Sequence, residues 1–89
     1  MDNYGIIFTR SARKELEMLA ASVVSKLFPK IESLAENPRP RGCRKIQGEE
    51  NLWRIRIGEY RIVYAVYDKK RVIDILAIRH RKDAYKKMR

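Results

Sequence analysis

The residues of this chain best suited to chemistry are arginines set inside a stretch that otherwise reads as sheet: Trp53-Arg54-Ile55-Arg56-Ile57, then Gly58-Glu59, then Tyr60-Arg61-Ile62-Val63-Tyr64. With Gly58-Glu59 as the two-residue turn of a hairpin, Ile57 faces Tyr60 and Arg56 faces Arg61. Arg54 then lies one pair further along on the same face. Like charges opposite each other destabilise a ladder by roughly 0.2–1 kcal/mol per pair, so an anion bound over them is the natural explanation, and a phosphate fits best. Pairing Tyr60 with a residue near Ala77 to Arg79 in a following hairpin brings Arg79-His80-Arg81 beside the Arg61 end. Arg54, Arg56, Arg61, Arg81, His80 and Tyr85 then line one concave patch.

Such a patch suits phosphate chemistry on RNA. The 2′-hydroxyl is a nucleophile that RNA carries itself, so a protein can cleave it by aligning the backbone for in-line attack and offsetting the charge that builds up on phosphorus. Arginine serves the second task, being permanently charged and binding phosphate oxygens through a planar fork. One histidine and one cysteine rule out a familiar zinc cluster. The carboxylates are scattered, without the clustering a two-metal nuclease needs. Walker, GxGxxG and GxSxG motifs are missing. The expected chemistry uses neither metal nor cofactor.

Each of these residues also has a plainer reading. Arg54 and Arg56 can be solvent-face strand residues, though the repulsion from Arg61 speaks against it. His80 can simply end a strand; its chemical role would be proton transfer. Tyr85 is either a core plug or a platform for a nucleobase. Trp53 alternates with the arginines and belongs, with Ile55, Ile57, Ile62 and Tyr64, to the core under the helices. Cys43 reads as a bystander.

The elements that must position these groups follow from periodicity. Tyr4 to Thr9 is β-branched and aromatic, a first strand. Ala12, Leu16, Leu19 and Ala20 make one apolar helical stripe, capped by Thr9 or Ser11. Val24, Leu27, Phe28, Ile31, Leu34 and Ala35 make a second stripe, with Ser22 as cap, Asn37-Pro38 as stop, and Pro29 predicting a kink or late start. Residues 37–47, NPRPRGCRKIQ, read as a loop whose Arg44 and Lys45 either hold a phosphate backbone or merely connect. Three strands follow, Leu52 to Ile57, Tyr60 to Tyr67 and Arg71 to Arg79, and then a short polar helix or tail from Arg81, with Lys82 among its cations. The order strand, helix, helix, strand, strand, strand predicts a single α+β domain over residues 1–89: an antiparallel meander with a helical hairpin on one face and the other face open.

Composition agrees. The 89 residues carry 21 Lys and Arg against 11 acidic residues, a net charge of +10, which points to a nucleic-acid partner and not a membrane. No apolar stretch is long enough to cross a bilayer, and the N-terminus lacks a signal-like run. The lone cysteine makes a reducing, cytoplasmic setting the default.

These residues resemble the RelE/ParE superfamily of toxins from toxin–antitoxin modules, specifically its RelE branch. The likeness spans nearly the whole chain. It includes Ala12 to Leu16, Leu34-Ala35-Glu36-Asn37-Pro38, the loop ending Arg44-Lys45-Ile46-Gln47-Gly48, and above all the Trp53 to Tyr64 motif followed by Ile78-Arg79-His80-Arg81-Lys82-Asp83-Ala84-Tyr85. The resemblance implies a ribosome-dependent mRNA endonuclease that leaves a cyclic phosphate. Its basic strand residues fall on Arg54, Arg56 and Arg61, its later arginine on Arg81 and its C-terminal tyrosine on Tyr85. Arg61 and Arg81 would clamp the scissile phosphate. Arg54, Arg56, Arg44, Lys45, Arg79 and Lys82 would hold RNA. Some relatives place a lysine base at the Arg56 position, a task unsuited to arginine, which makes His80 a candidate. The resemblance also implies an antitoxin, acidic in its toxin-binding segment, bound in a hetero-oligomer, with Leu16, Leu19, Leu27 and Ile31 as docking residues if they are not buried. Two other readings stay open: a ParE-like poison of DNA gyrase, and a non-catalytic RNA- or DNA-binding module.

Overall fold

The computed structural model describes residues 3–82. Seven elements follow in order: β1 (Gly5–Phe8), α1 (Arg10–Glu17), α2 (Ala21–Ser33), β2 (Arg44–Lys45), β3 (Leu52–Ile57), β4 (Tyr60–Tyr67) and β5 (Val72–His80). They form one five-stranded sheet in the order β1-β5-β4-β3-β2, with the helices over one face. The α+β class is the expected one.

Two features depart from a pure antiparallel meander. β1 runs parallel to β5, setting Gly5 against Val72 and Phe8 against Ile75. Strand order of this kind has no local signature, because the partner of β1 lies 67 residues further along the chain. The basic loop also contributes a strand: Arg44 pairs with Arg54 and Lys45 with Trp53, on the outer edge of β3. Two residues are too few to show a period. A short, doubly charged edge strand also discourages further pairing.

Both helices differ in detail from their sequence pattern. Thr9 caps α1: its Oγ1 accepts the Ala12 N–H at 3.1 Å and donates to the carbonyls of Ile75 and Leu76. The helix ends at Glu17, so Leu19 reaches the core from the connection to α2. α2 starts after Ala20, not Ser22, and continues through Pro29 without the late start that residue suggested. Proline there sacrifices one hydrogen bond, while Leu27 and Ile31 on the buried side hold the helix against the sheet. Phe28 is 38% exposed and lies outside the buried stripe.

Leu27, Ile31 and Leu34 pack on Ile62, Tyr64, Val66, Ile73, Ile75 and Ile78. Trp53, Ile55, Ile57 and Tyr60 close the margin of this core. Because Leu27 and Ile31 are fully buried and Leu16 and Leu19 pack on the core, the sheet occupies the helix stripe considered for docking. Arg39 binds Asp68 through both guanidinium nitrogens, at 2.7 and 3.3 Å, and lies over the Trp53 ring. Tyr64 donates to the Pro38 carbonyl at 2.7 Å. These contacts pin the 36–43 loop to the strands.

Candidate active site

The site is built on the β3–β4 hairpin. Positive φ at Gly58 alone, +60°, is the mark of a type II′ turn, whose twist suits the flanking strands and needs glycine first. The register is the one the sequence predicts: Ile57 faces Tyr60, Arg56 faces Arg61, and Arg54 faces Val63. Alternation sends Trp53, Ile55 and Ile57 to the helices and Arg54, Arg56 and Arg61 to the other face. Through β2, Arg44 joins them opposite Arg54.

The cations are close enough to be felt. Arg54 has its guanidinium pKa lowered, first by partial burial and then by the charges of Arg61, Arg56 and Arg44. Four arginines on adjacent strands thus make a patch whose unmet need is an anion. Lys45 does not share it: one residue along β2, it pairs with Trp53 on the helix side.

β5 brings the second group. Arg79 faces Arg61 and His80 faces Tyr60. A bulge makes this so: Val63 pairs with Ala77 but Tyr64 with Ile75, leaving Leu76 as an extra residue. The extra residue reverses the alternation of β5, so that Ile73, Ile75 and Ile78 all face the core while Asp74 and Arg79 share the arginine face. His80 therefore leaves that face. Its ring stands edge-on to Tyr60, centroids 5.0 Å apart, and its Nδ1 accepts the Lys82 N–H at 3.0 Å. With Nδ1 accepting that bond, Nε2 is the ring nitrogen left for another partner.

Arg81 follows β5 directly. Its N–H donates to the Glu59 carbonyl at 2.7 Å, which fixes it beside the Gly58-Glu59 turn. Its guanidinium is 3.7 Å from the Glu59 carboxylate, with both side chains mostly exposed. Such a pair contributes little and yields easily to another anion. Lys82, the last described residue, is exposed. Tyr85 lies outside the described residues.

Two acidic residues near the patch have no sequence signal. Glu15 of α1 accepts the Ile78 N–H at 2.8 Å and forms an ion pair with Arg79. Asp74 has its carboxyl pushed up by burial, and its Oδ1 is buried with no hydrogen-bond partner among the described residues. Contacts between residues more than sixty positions apart leave no periodic trace. Among the described residues, no three of His, Cys, Asp and Glu gather as a metal site would require, and no helix is long and apolar enough to cross a membrane.

Comparison with known proteins gives this geometry a family. The sequence profile for the ParE toxin of type II toxin–antitoxin systems, parDE, matches residues 6–85. RelE1 of Methanocaldococcus jannaschii is 36% identical over 76 residues, covering 82% of this chain and 84% of that protein. The mRNA interferase toxin RelE of Escherichia coli is 30% identical over 86 residues, covering 92% of this chain and 90% of that protein. Among solved structures, the RelE–RelB complex of Pyrococcus horikoshii superposes with a TM-score of 0.79 at 28% identity, covering 89% of this chain and 96% of that one. The E. coli toxin with two arginines, two positions apart, replaced by alanine, bound to an antitoxin RelB peptide, gives a TM-score of 0.76 at 27% identity and covers 98% of this chain and 94% of that one. The protein belongs to the RelE/ParE superfamily, on its RelE branch, and is the toxin of a toxin–antitoxin module.

Proposed function

We propose that this toxin is a ribosome-dependent endoribonuclease that cuts mRNA by attack of the 2′-hydroxyl on the adjacent phosphate. The observation that carries the reading is the convergence of Arg44, Arg54, Arg56 and Arg61 on one sheet face, with Arg79 and Arg81 at its end. Relatives that cover most of the chain are named mRNA interferases. Arg79 and Arg81 also have the spacing of the two arginines replaced in the E. coli toxin.

Cleavage forms a bond from O2′ to phosphorus and breaks the bond to O5′, leaving a 2′,3′-cyclic phosphate and a 5′-hydroxyl. The 2′-hydroxyl gives up a proton and O5′ takes one. In the transition state, charge builds on the non-bridging phosphate oxygens, where fixed guanidinium groups stabilise it more than they do the ground state. Arg61 and Arg81 take that task. Arg54, Arg56, Arg44 and Arg79 hold the flanking backbone, and Tyr85 stacks on a base. Arg56 keeps its proton throughout. No metal takes part in this scheme. His80, turned toward Tyr60, supports the β5 terminus. The partner that restrains the toxin is an antitoxin whose acidic segment covers the same cations; relatives of the same fold are solved as complexes with RelB antitoxins.

Expression of the toxin alone should arrest growth, and Arg61→Ala or Arg81→Ala should each relieve the arrest. Undiminished toxicity in both variants would overturn the assignment. A binding module without chemistry would instead keep most of its affinity for RNA and show only a reduced salt dependence on losing one arginine.

A further inference from the structure

The arginine face is made of cations, yet one carboxylate reaches its margin from the helix layer. β1 ends at Phe8, opposite Ile75, so the rest of β5 has no strand on its outer side. α1 starts at that point, anchored by Thr9 to the carbonyls of Ile75 and Leu76. One and a half turns later, Glu15 meets the strand edge. Its Oε1 accepts the Ile78 N–H at 2.8 Å, and its Oε2 pairs with the Arg79 guanidinium.

This pair differs from the one at the hairpin turn. Glu15 and Arg79 side chains are 25% and 31% exposed, whereas Glu59 and Arg81 are 62% and 68% exposed. A shielded carboxylate held by a backbone amide is a fixed point, and a guanidinium tied to it is restricted to one arrangement. Arg79 otherwise has a long flexible side chain pushed by Arg61 directly opposite. Glu15 offsets that repulsion and removes the freedom.

We propose that Glu15 is a positioning residue of the active site, holding the Arg79 guanidinium ready at the rim of the phosphate patch. The inference rests on the ribonuclease reading. Its two oxygens act separately: Oε1 satisfies an edge amide and belongs to the fold, while Oε2 orients Arg79 and belongs to catalysis. Glutamine preserves the first and removes the charge from the second. Alanine removes both.

The test uses full-length toxin freed from its antitoxin, with single-turnover cleavage of mRNA on programmed ribosomes. Glu15→Gln should stay folded, with a melt lowered only by the few degrees that loss of one ion pair costs, and bind ribosomes equally well, yet cleave roughly 10- to 100-fold more slowly at saturation, the penalty of a misplaced phosphate-orienting group. Arg79→Ala should be slow as well, and the double variant Glu15→Gln/Arg79→Ala no slower than Arg79→Ala alone. A wild-type rate in Glu15→Gln beside a slow Arg61→Ala overturns this inference and leaves the ribonuclease reading standing, as do multiplicative losses in the double variant. Wild-type rates in both Arg61→Ala and Arg79→Ala overturn the ribonuclease site and the role of Glu15 with it.

Discussion

Replacing Arg61 with glutamine should make the protein more stable and far less active. Arg61 faces Arg56 across the hairpin and Arg79 across the next ladder. Facing Cβ atoms lie about 5 Å apart, and unit charges at about 5 Å in a water-like dielectric repel by about 0.8 kcal/mol. Glu15 already counters Arg79, so the relief comes from Arg56 opposite and from Arg54, which feels the Arg61 charge more than those of Arg56 and Arg44. Long side chains diverge and salt screens them, which brings the gain to about 0.5 kcal/mol, inside the roughly 0.2–1 kcal/mol measured for ladder pairs. For a domain of this size that is a Tm rise of about 2–4 °C. Thermal melts at low salt should show it, and the rise should fade near 1 M salt, where the Debye length is about 3 Å. Added polyphosphate should raise the Tm of the wild type more than that of Arg61→Gln, because it supplies the missing anion. Cleavage should fall by roughly 100-fold or more. A lower Tm in the variant, or a gain indifferent to salt, would refute charge crowding and make Arg61 a packing residue.

Three further outcomes follow from single contacts. Tyr64→Phe leaves the Pro38 carbonyl without its 2.7 Å donor, so thermal melts should register a loss of about 1–2 kcal/mol. Asp74 has a raised carboxyl pKa, so its contribution is fully present below the unfolded value and is lost as pH rises through the folded one. Asp74→Asn should therefore raise Tm at neutral pH by an increment that shrinks toward the unfolded value of about pH 3.9; a gain constant across that range would contradict the burial argument. Asp68 has the opposite sign: hydrogen bonds from Arg39 and then Tyr4 hold its carboxyl low. Asp68→Asn should speed amide exchange in the 36–43 loop at neutral pH and leave it unchanged at pH values below the folded pKa.

What the sequence revealed and what it hid follow from the range of the interactions. The β3–β4 hairpin was legible because a period of two and a Gly-X turn are local, and together they set Arg56 against Arg61 before any long-range contact is known. The helix layer was legible through Leu27 and Ile31. The place of β1 was not, since nothing within Gly5–Phe8 names β5 as its neighbour. The Leu76 bulge was also hidden, and its effect is large: it reverses the faces of β5 past Leu76, sending Arg79 to the arginines and His80 to Tyr60. Simple proximity in sequence put His80 in the patch; the face it occupies takes it out. Lys45 leaves the patch for the same reason, one residue out of phase with Arg44. Glu15 was invisible because its partners lie across the fold.

The central claim is that the arginine face cuts mRNA on the ribosome, and mapping 5′ ends across the transcriptome of cells expressing the toxin tests it most directly. New 5′-hydroxyl ends should be confined to translated codons, lost when translation initiation is blocked and lost in Arg61→Ala. Intact transcripts in growth-arrested cells, with broken DNA in their place, would contradict it and assign the toxin to gyrase.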